Sequence, residues 1–138
     1  MTPSTKLDFN QNKIARVHDL DELASILFPG NKNHQRIFLA IFIELKWSDD
    51  QFLPVLEPIA DKHSFSHRSL ETVRAKMRRM GLIDHVSRFN KRYGYREGWV
   101  FSNRFGRNAI KLAELNKGFR EKGELGRERK ERMLWRLV

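Results

Sequence analysis

The chain has no cysteine, which excludes disulfides, thiolate metal ligands and a cysteine nucleophile. It has no long apolar run either. The longest, Ile37 to Ile43, falls far short of the roughly 20 residues a membrane helix needs. The opening residues MTPSTKLDFNQNK contain no apolar signal core. No glycine-rich loop of the phosphate-cradling kind occurs, and no serine sits in a recognisable nucleophile context. These absences lead to the expectation of a soluble cytoplasmic protein, nucleoid-associated if prokaryotic. No catalytic residues, cofactor, metal or membrane partner are expected.

Acidic residues are scarce in one place only. Residues 1–62 carry 7 Lys/Arg against 9 Asp/Glu, residues 63–111 carry 12 against 3, and residues 112–138 carry 8 against 5. The formal charge of +10 therefore sits almost wholly in the middle block. A uniformly basic surface would say little beyond solubility, whereas charge concentrated in one segment suggests a footprint for a polyanion. At 138 residues, 40% of them apolar and 11% aromatic, the chain has enough core material for one domain and is no disordered basic tail.

Periodicity supplies the element order. The first sixteen or so residues lack any and read as a loose arm. DLDELASILF puts Leu20, Leu23, Ala24, Leu27 and Phe28 on one helical stripe with acids in the first turn, stopped by Pro29-Gly30. The helix from about His34 to Lys46 is apolar on nearly every side, which calls for burial in the domain or in a subunit contact. Ser48 and Gln51 have capping-box spacing, with Trp47 placed to staple onto Phe52. Pro54 and Pro58 then allow only an irregular segment and a brief helix, about Val55 to Lys62.

The informative stretch is SHRSLETVRAKMRRMGLID. Ser66 can cap a helix on which Leu70, Val73, Met77 and Met80 form one stripe and Arg68, Thr72, Ala75 and Arg79 the opposite one. Gly81 ends it in the left-handed conformation. LIDHVSRF and GWVFS read as strands joined by NKRYGYRE, with Gly94 and Gly98 as turn residues. Asn103 can cap a last amphipathic helix carrying Phe105, Ala109, Leu112 and Ala113, followed by the linker GFREKGELG and a terminal helix in RERKERMLWRLV.

This order, mainly α with a small β-hairpin wing, resembles a winged helix-turn-helix DNA-binding domain. The resemblance covers roughly residues 34–117, after an arm and short helix (1–33) and before a linker and C-terminal helix (118–138). It implies that the helix at 67–80 enters the major groove, where base edges present a distinct donor and acceptor code. His67, Arg68, Glu71, Thr72 and Ala75, nearest the helix start, are then the base-reading candidates. Lys76, Arg78 and Arg79 fall to phosphate. Arg88, Lys91, Arg92, Tyr93, Tyr95 and Arg96 of the wing, 88–96, fall to the backbone or minor groove.

The expected function is that of a sequence-specific double-stranded DNA-binding protein, a transcription regulator acting as a homodimer rather than an enzyme. The dimer surface would come from Leu20 to Phe28, from the apolar helix, or from the C-terminal helices. The alternatives are a plasmid or viral replication or partition protein, or a winged-helix module that binds protein. Weaker patterns have bland explanations. His63 and His67 are spaced like a helical metal pair, but a turn separates them and no third ligand follows. Asp49 and Asp50 suit a helix start, while Glu57 and Asp61 suit a solvated face.

Overall fold

Four short polar side chains start four helices. Asn10, Asp19, Asn31 and Ser66 each accept a hydrogen bond from a backbone N–H two or three residues on, which is the local signal that fixes a helix start. The helices are α1 (Gln11–Ala15), α2 (Leu20–Leu27), α3 (Lys32–Lys46) and, later, α5 (His67–Met80). The computed structural model describes residues 7–122 and 125–137. Residues 1–6 of the expected arm, Gly123 and Glu124 of the expected linker, and Val138 lie outside them. The remaining elements are β1 (Phe52–Leu53), α4 (Glu57–Lys62), β2 (Ile83–Val86), β3 (Gly98–Phe101), α6 (Arg104–Arg120) and α7 (Leu125–Leu134). The fold is mainly helical with a small three-stranded antiparallel sheet of order β1-β3-β2.

Helix α3 is the centre. Ile37, Phe38, Ile41 and Leu45 are wholly buried, with α2, α4 and α5 packed around it. An aromatic chain carries the core from α2 to the sheet: Phe28 to Phe38 at 5.5 Å, Phe38 to Phe42 at 5.7 Å and Phe42 to Phe101 at 5.0 Å between ring centroids. Of the segments expected to supply a subunit contact, α2 and α3 thus use most of their apolar residues in the chain's own core, with Ile43 left 46% exposed. What looked like an apolar surplus is the demand of a helix contacted on several sides.

The segment after α3 corrects the expectation. Ser48 makes no capping bond to the next turn; its hydroxyl donates instead to the Leu45 carbonyl. Trp47 is 76% exposed and so cannot staple onto Phe52. A single 3-10 turn, Asp49–Gln51, follows, with Asp50 at φ 58° and Gln51 at φ 50°. It reverses the chain into β1, a two-residue strand that Pro54 terminates. Phe52 pairs with Val100 and Leu53 with Trp99, so β1 closes one edge of the hairpin.

Gly81 behaves as its sequence context demands. At φ 82°, ψ 24° it donates to the Arg78 carbonyl at 3.0 Å, and Leu82 donates to the Met77 carbonyl at 2.9 Å. That paired pattern ends α5 and turns the chain directly into β2. β2 runs antiparallel to β3, with Ile83 opposite Phe101 and Val86 opposite Gly98. Gly98 is therefore a strand residue, not a turn residue.

The chain divides after Asn103 into two units. In the second, α6 has no buried residue, and Ile110, Leu112, Leu115 and Phe119 are exposed, as are Met133, Leu134, Trp135 and Leu137. The expected α6 stripe of Phe105, Ala109, Leu112 and Ala113 is not a buried face. Among the described residues no helix is long and apolar enough to cross a membrane.

Candidate nucleic-acid interface

Helix α5 has two faces. Leu70, Val73 and Met77 are fully buried, fixing the rotation of the helix on the core. His67, Arg68, Glu71, Thr72, Ala75, Lys76, Arg78 and Arg79 are all exposed. Every α5 residue that the resemblance offered for DNA contact is therefore on the solvent side.

Several of these side chains are already engaged. His67 Nε2 is 3.1 Å from an Asp61 carboxylate oxygen. The Thr72 hydroxyl donates to the Arg68 carbonyl at 3.0 Å, leaving its methyl and lone pairs for a partner. Lys76 Nζ lies 3.0 Å from His34 Nδ1. Burial first, and the Lys76 ammonium second, hold His34 below the ordinary histidine pKa, so a neutral ring accepts that bond.

The turn leading into α5 is held from α3. An Arg36 guanidinium nitrogen donates to the carbonyls of His63 and Ser64 at 2.9 and 3.4 Å and lies over the Phe65 ring at 5.9 Å. Ser64 takes a positive φ of 58° there. Glu44, also on α3, accepts from Lys62 Nζ at 2.6 Å and lies 3.1 Å from His63 Nε2. The two histidines suspected of metal binding thus have separate carboxylate partners, and no group of three or more candidate ligands occurs among the described residues.

Arg74, which the sequence reading passed over, joins α5 to its neighbours. It is half-buried, 3.2 Å from Glu57 on α4 and 5.2 Å over the Trp99 ring on β3. The edge of His85 meets the same indole at 4.8 Å. The signal was available: Arg74 stands four after Leu70 and three before Met77, on the buried stripe. Arg36 offered no comparable signal, because its partners are backbone carbonyls distant in sequence.

The hairpin loop sorts into a base and a tip. Tyr93 is half-buried against Phe52, with centroids 6.5 Å apart. Arg96 lies 4.3 Å over the same Phe52 ring, donates from Nε to the Tyr93 carbonyl at 3.1 Å and approaches Asp50 at 3.8 Å. These two residues hold the loop down. Arg88, Lys91, Arg92 and Tyr95 are exposed, and Tyr95 carries a φ of 59° that bulky side chains rarely adopt. Phe89, 76% exposed beside Arg88, was not among the candidates.

The acidic tethers make stability pH-dependent. The Lys62 and His63 hydrogen bonds lower the Glu44 pKa, and its own backbone N–H followed by Arg74 lowers that of Glu57. A carboxylate depressed in the folded state contributes stability above its unfolded pKa and loses it as pH falls through the folded one. The melting temperature should therefore drop below the ordinary glutamate range. Glu44→Gln should flatten that decline in melts run from neutral pH down through and below the ordinary glutamate range; a parallel decline would contradict the Glu44 tether.

No protein-family model, curated protein or solved structure matches this chain.

Proposed function

We propose that this chain binds double-stranded DNA, with α5 in the major groove. Within that class the reading is a winged helix-turn-helix protein whose loop between β2 and β3 lies on the backbone or minor groove. It acts as a homodimeric transcription regulator and not as an enzyme. The carrying observation is the division of α5: a stripe of Leu70, Val73 and Met77 without exposure, backed by a face that exposes Arg68, Lys76, Arg78 and Arg79. A solvated helix accounts for its own cations but not for the exposed basic loop that follows β2, with Arg88, Lys91 and Arg92. The exposed apolar residues of α6 and α7 are the surface left for a second copy.

The test is selection from random duplex DNA, sizing of the complex, and two substitutions. Arg68→Ala should cost about 1–3 kcal/mol on the selected site and far less on unrelated duplex. Arg92→Ala should weaken both duplexes by similar factors and reduce the salt slope by about one unit. Arg107→Ala, in α6, serves as the control with a smaller effect. If Arg68→Ala weakens all sequences equally, α5 is only an electrostatic surface and the regulator reading fails. A one-to-one complex on the selected site removes the homodimer.

A further inference from the structure

Phe89 is the most exposed aromatic of the hairpin loop, and the surrounding structure gives it no packing role. The residue is 76% exposed. It is not in the cluster that closes the hairpin, where Tyr93 packs on Phe52, Val86 and Val100. Its ring lies beside a cation, the Arg88 guanidinium, 5.2 Å from the centroid. Lys91 and Arg92 follow within three residues and are exposed.

The backbone beneath it is well organised for a loop. Phe89 N–H donates to the Ser87 hydroxyl at 3.3 Å, and Asn90 N–H to the Ser87 carbonyl at 3.1 Å. Asn90 then accepts three bonds: Arg92 N–H on its side chain at 3.0 Å, and Tyr93 and Tyr95 N–H on its carbonyl at 3.3 and 3.0 Å. An aromatic on such a platform is presented at little ordering cost when it meets a partner.

We propose that Phe89 is a wedge, inserting between two base pairs of bound duplex, unstacking the step and kinking the DNA. This rests on the DNA-binding reading above. The chemistry favours DNA over a protein partner because the neighbours of the ring are cations: Arg88, Lys91 and Arg92 would hold phosphates on either side of the step. Apolar side chains used in this way trade lost base stacking for a bend that brings more protein surface onto the duplex. Pyrimidine–purine steps, which unstack most easily, would be the preferred sites.

The experiment uses the full chain with two 30-base-pair mixed-sequence duplexes, end-labelled for energy transfer. One is fully paired and the other carries a central mismatch where stacking is already weakened. Wild type should raise energy transfer on binding and prefer the mismatched duplex by about tenfold. Phe89→Ala should keep its melting temperature and salt slope but lose both the bend and the preference. Phe89→Leu, still an apolar wedge, should retain most of each. If Phe89→Ala binds and bends like wild type, the wedge is overturned while DNA binding stands. If wild type binds straight duplex without preference, the wedge is again overturned, and Phe89 becomes a candidate protein contact. If wild type binds neither duplex, both readings fall together.

Discussion

Duplex affinity should fall by about three orders of magnitude between 50 and 200 mM salt, the largest change expected of this protein. Each phosphate neutralised by Lys or Arg releases condensed counterions, with a log-log slope of about −0.9 per contact. Composition alone allows roughly five to eight contacts, hence a slope of about −5 to −7. The structure narrows that choice. Arg74 is half-buried on Trp99 and Glu57, which takes it away from phosphate, whereas Arg96 is exposed but tied to Phe52 and the Tyr93 carbonyl. Lys76, Arg78, Arg79, Arg88, Lys91 and Arg92 are exposed, and contact by all of them predicts a slope near −5, the shallow end. Titrations at four salt concentrations on one duplex would measure it. A slope near zero removes the electrostatic interface, and with it the proposal that the basic block meets DNA.

Much of the helical framework was legible because it is written locally. Asp19 and Ser66 announce helix starts, Gly81 announces a stop, and the Leu70–Val73–Met77 spacing announces a buried stripe. Each is a short-range rule, and the backbone follows it. What was illegible depends on contacts distant in sequence. β1 is two residues long and exists only because Val100 and Trp99 pair with it. The Ser48–Gln51 spacing fits a capping box but loses to a 3-10 turn that feeds the chain into that strand. The all-apolar helix signalled burial without saying whether α2, α4 and α5 or a second copy would supply it; packing around α3 answers that.

The candidate interface divides in the same way. Exposure of α5 residues followed from helical phase, so Arg68, Thr72 and Arg79 could be placed outward from spacing alone. Lys76 could not be foreseen beside His34, 42 residues away in sequence. In the loop, side-chain fate is set by what lies beneath. Tyr93 and Tyr95 are two apart, yet one packs on Phe52 and the other is 60% exposed. Arg92 and Arg96 differ likewise: one lies 5.7 Å over Tyr93 with its charge exposed, the other is drawn onto Phe52 and toward Asp50. Counting cations finds the patch, and only packing separates those that hold the loop from those left exposed.

Gly98→Ala should be the most damaging small substitution in the first unit. A Cβ at Gly98 would lie 2.6 Å from the Leu53 carbonyl oxygen and 2.6 Å from Cε1 and Cζ of Phe52. The ring could swing aside only by leaving the Val86–Val100 cluster and the underside of Arg96. The carbonyl belongs to β1, whose two residues pair with Val100 and Trp99, so it cannot retreat without opening the sheet edge. Overpacking of this kind costs about 1–3 kcal/mol, and backbone resistance places Gly98→Ala at the upper end, a loss of roughly 10 °C or more in melting temperature. Two other glycines are internal standards. Gly94 is at φ 65° with nothing nearer than Arg96 Nε at 4.0 Å, so alanine there should cost only backbone strain, about 1 kcal/mol. Gly106, inside α6, has open space around it, so alanine should be neutral or slightly stabilising. Thermal melts of the three variants give the ranking. Because Gly98 lies at the base of the loop bearing Arg88, Lys91 and Arg92, Gly98→Ala should also shed the loop's share of duplex affinity while Arg68-dependent selectivity persists. Equal melting temperatures for Gly98→Ala and Gly106→Ala would mean that β1 does not press on β3, and the support proposed for the loop would be lost.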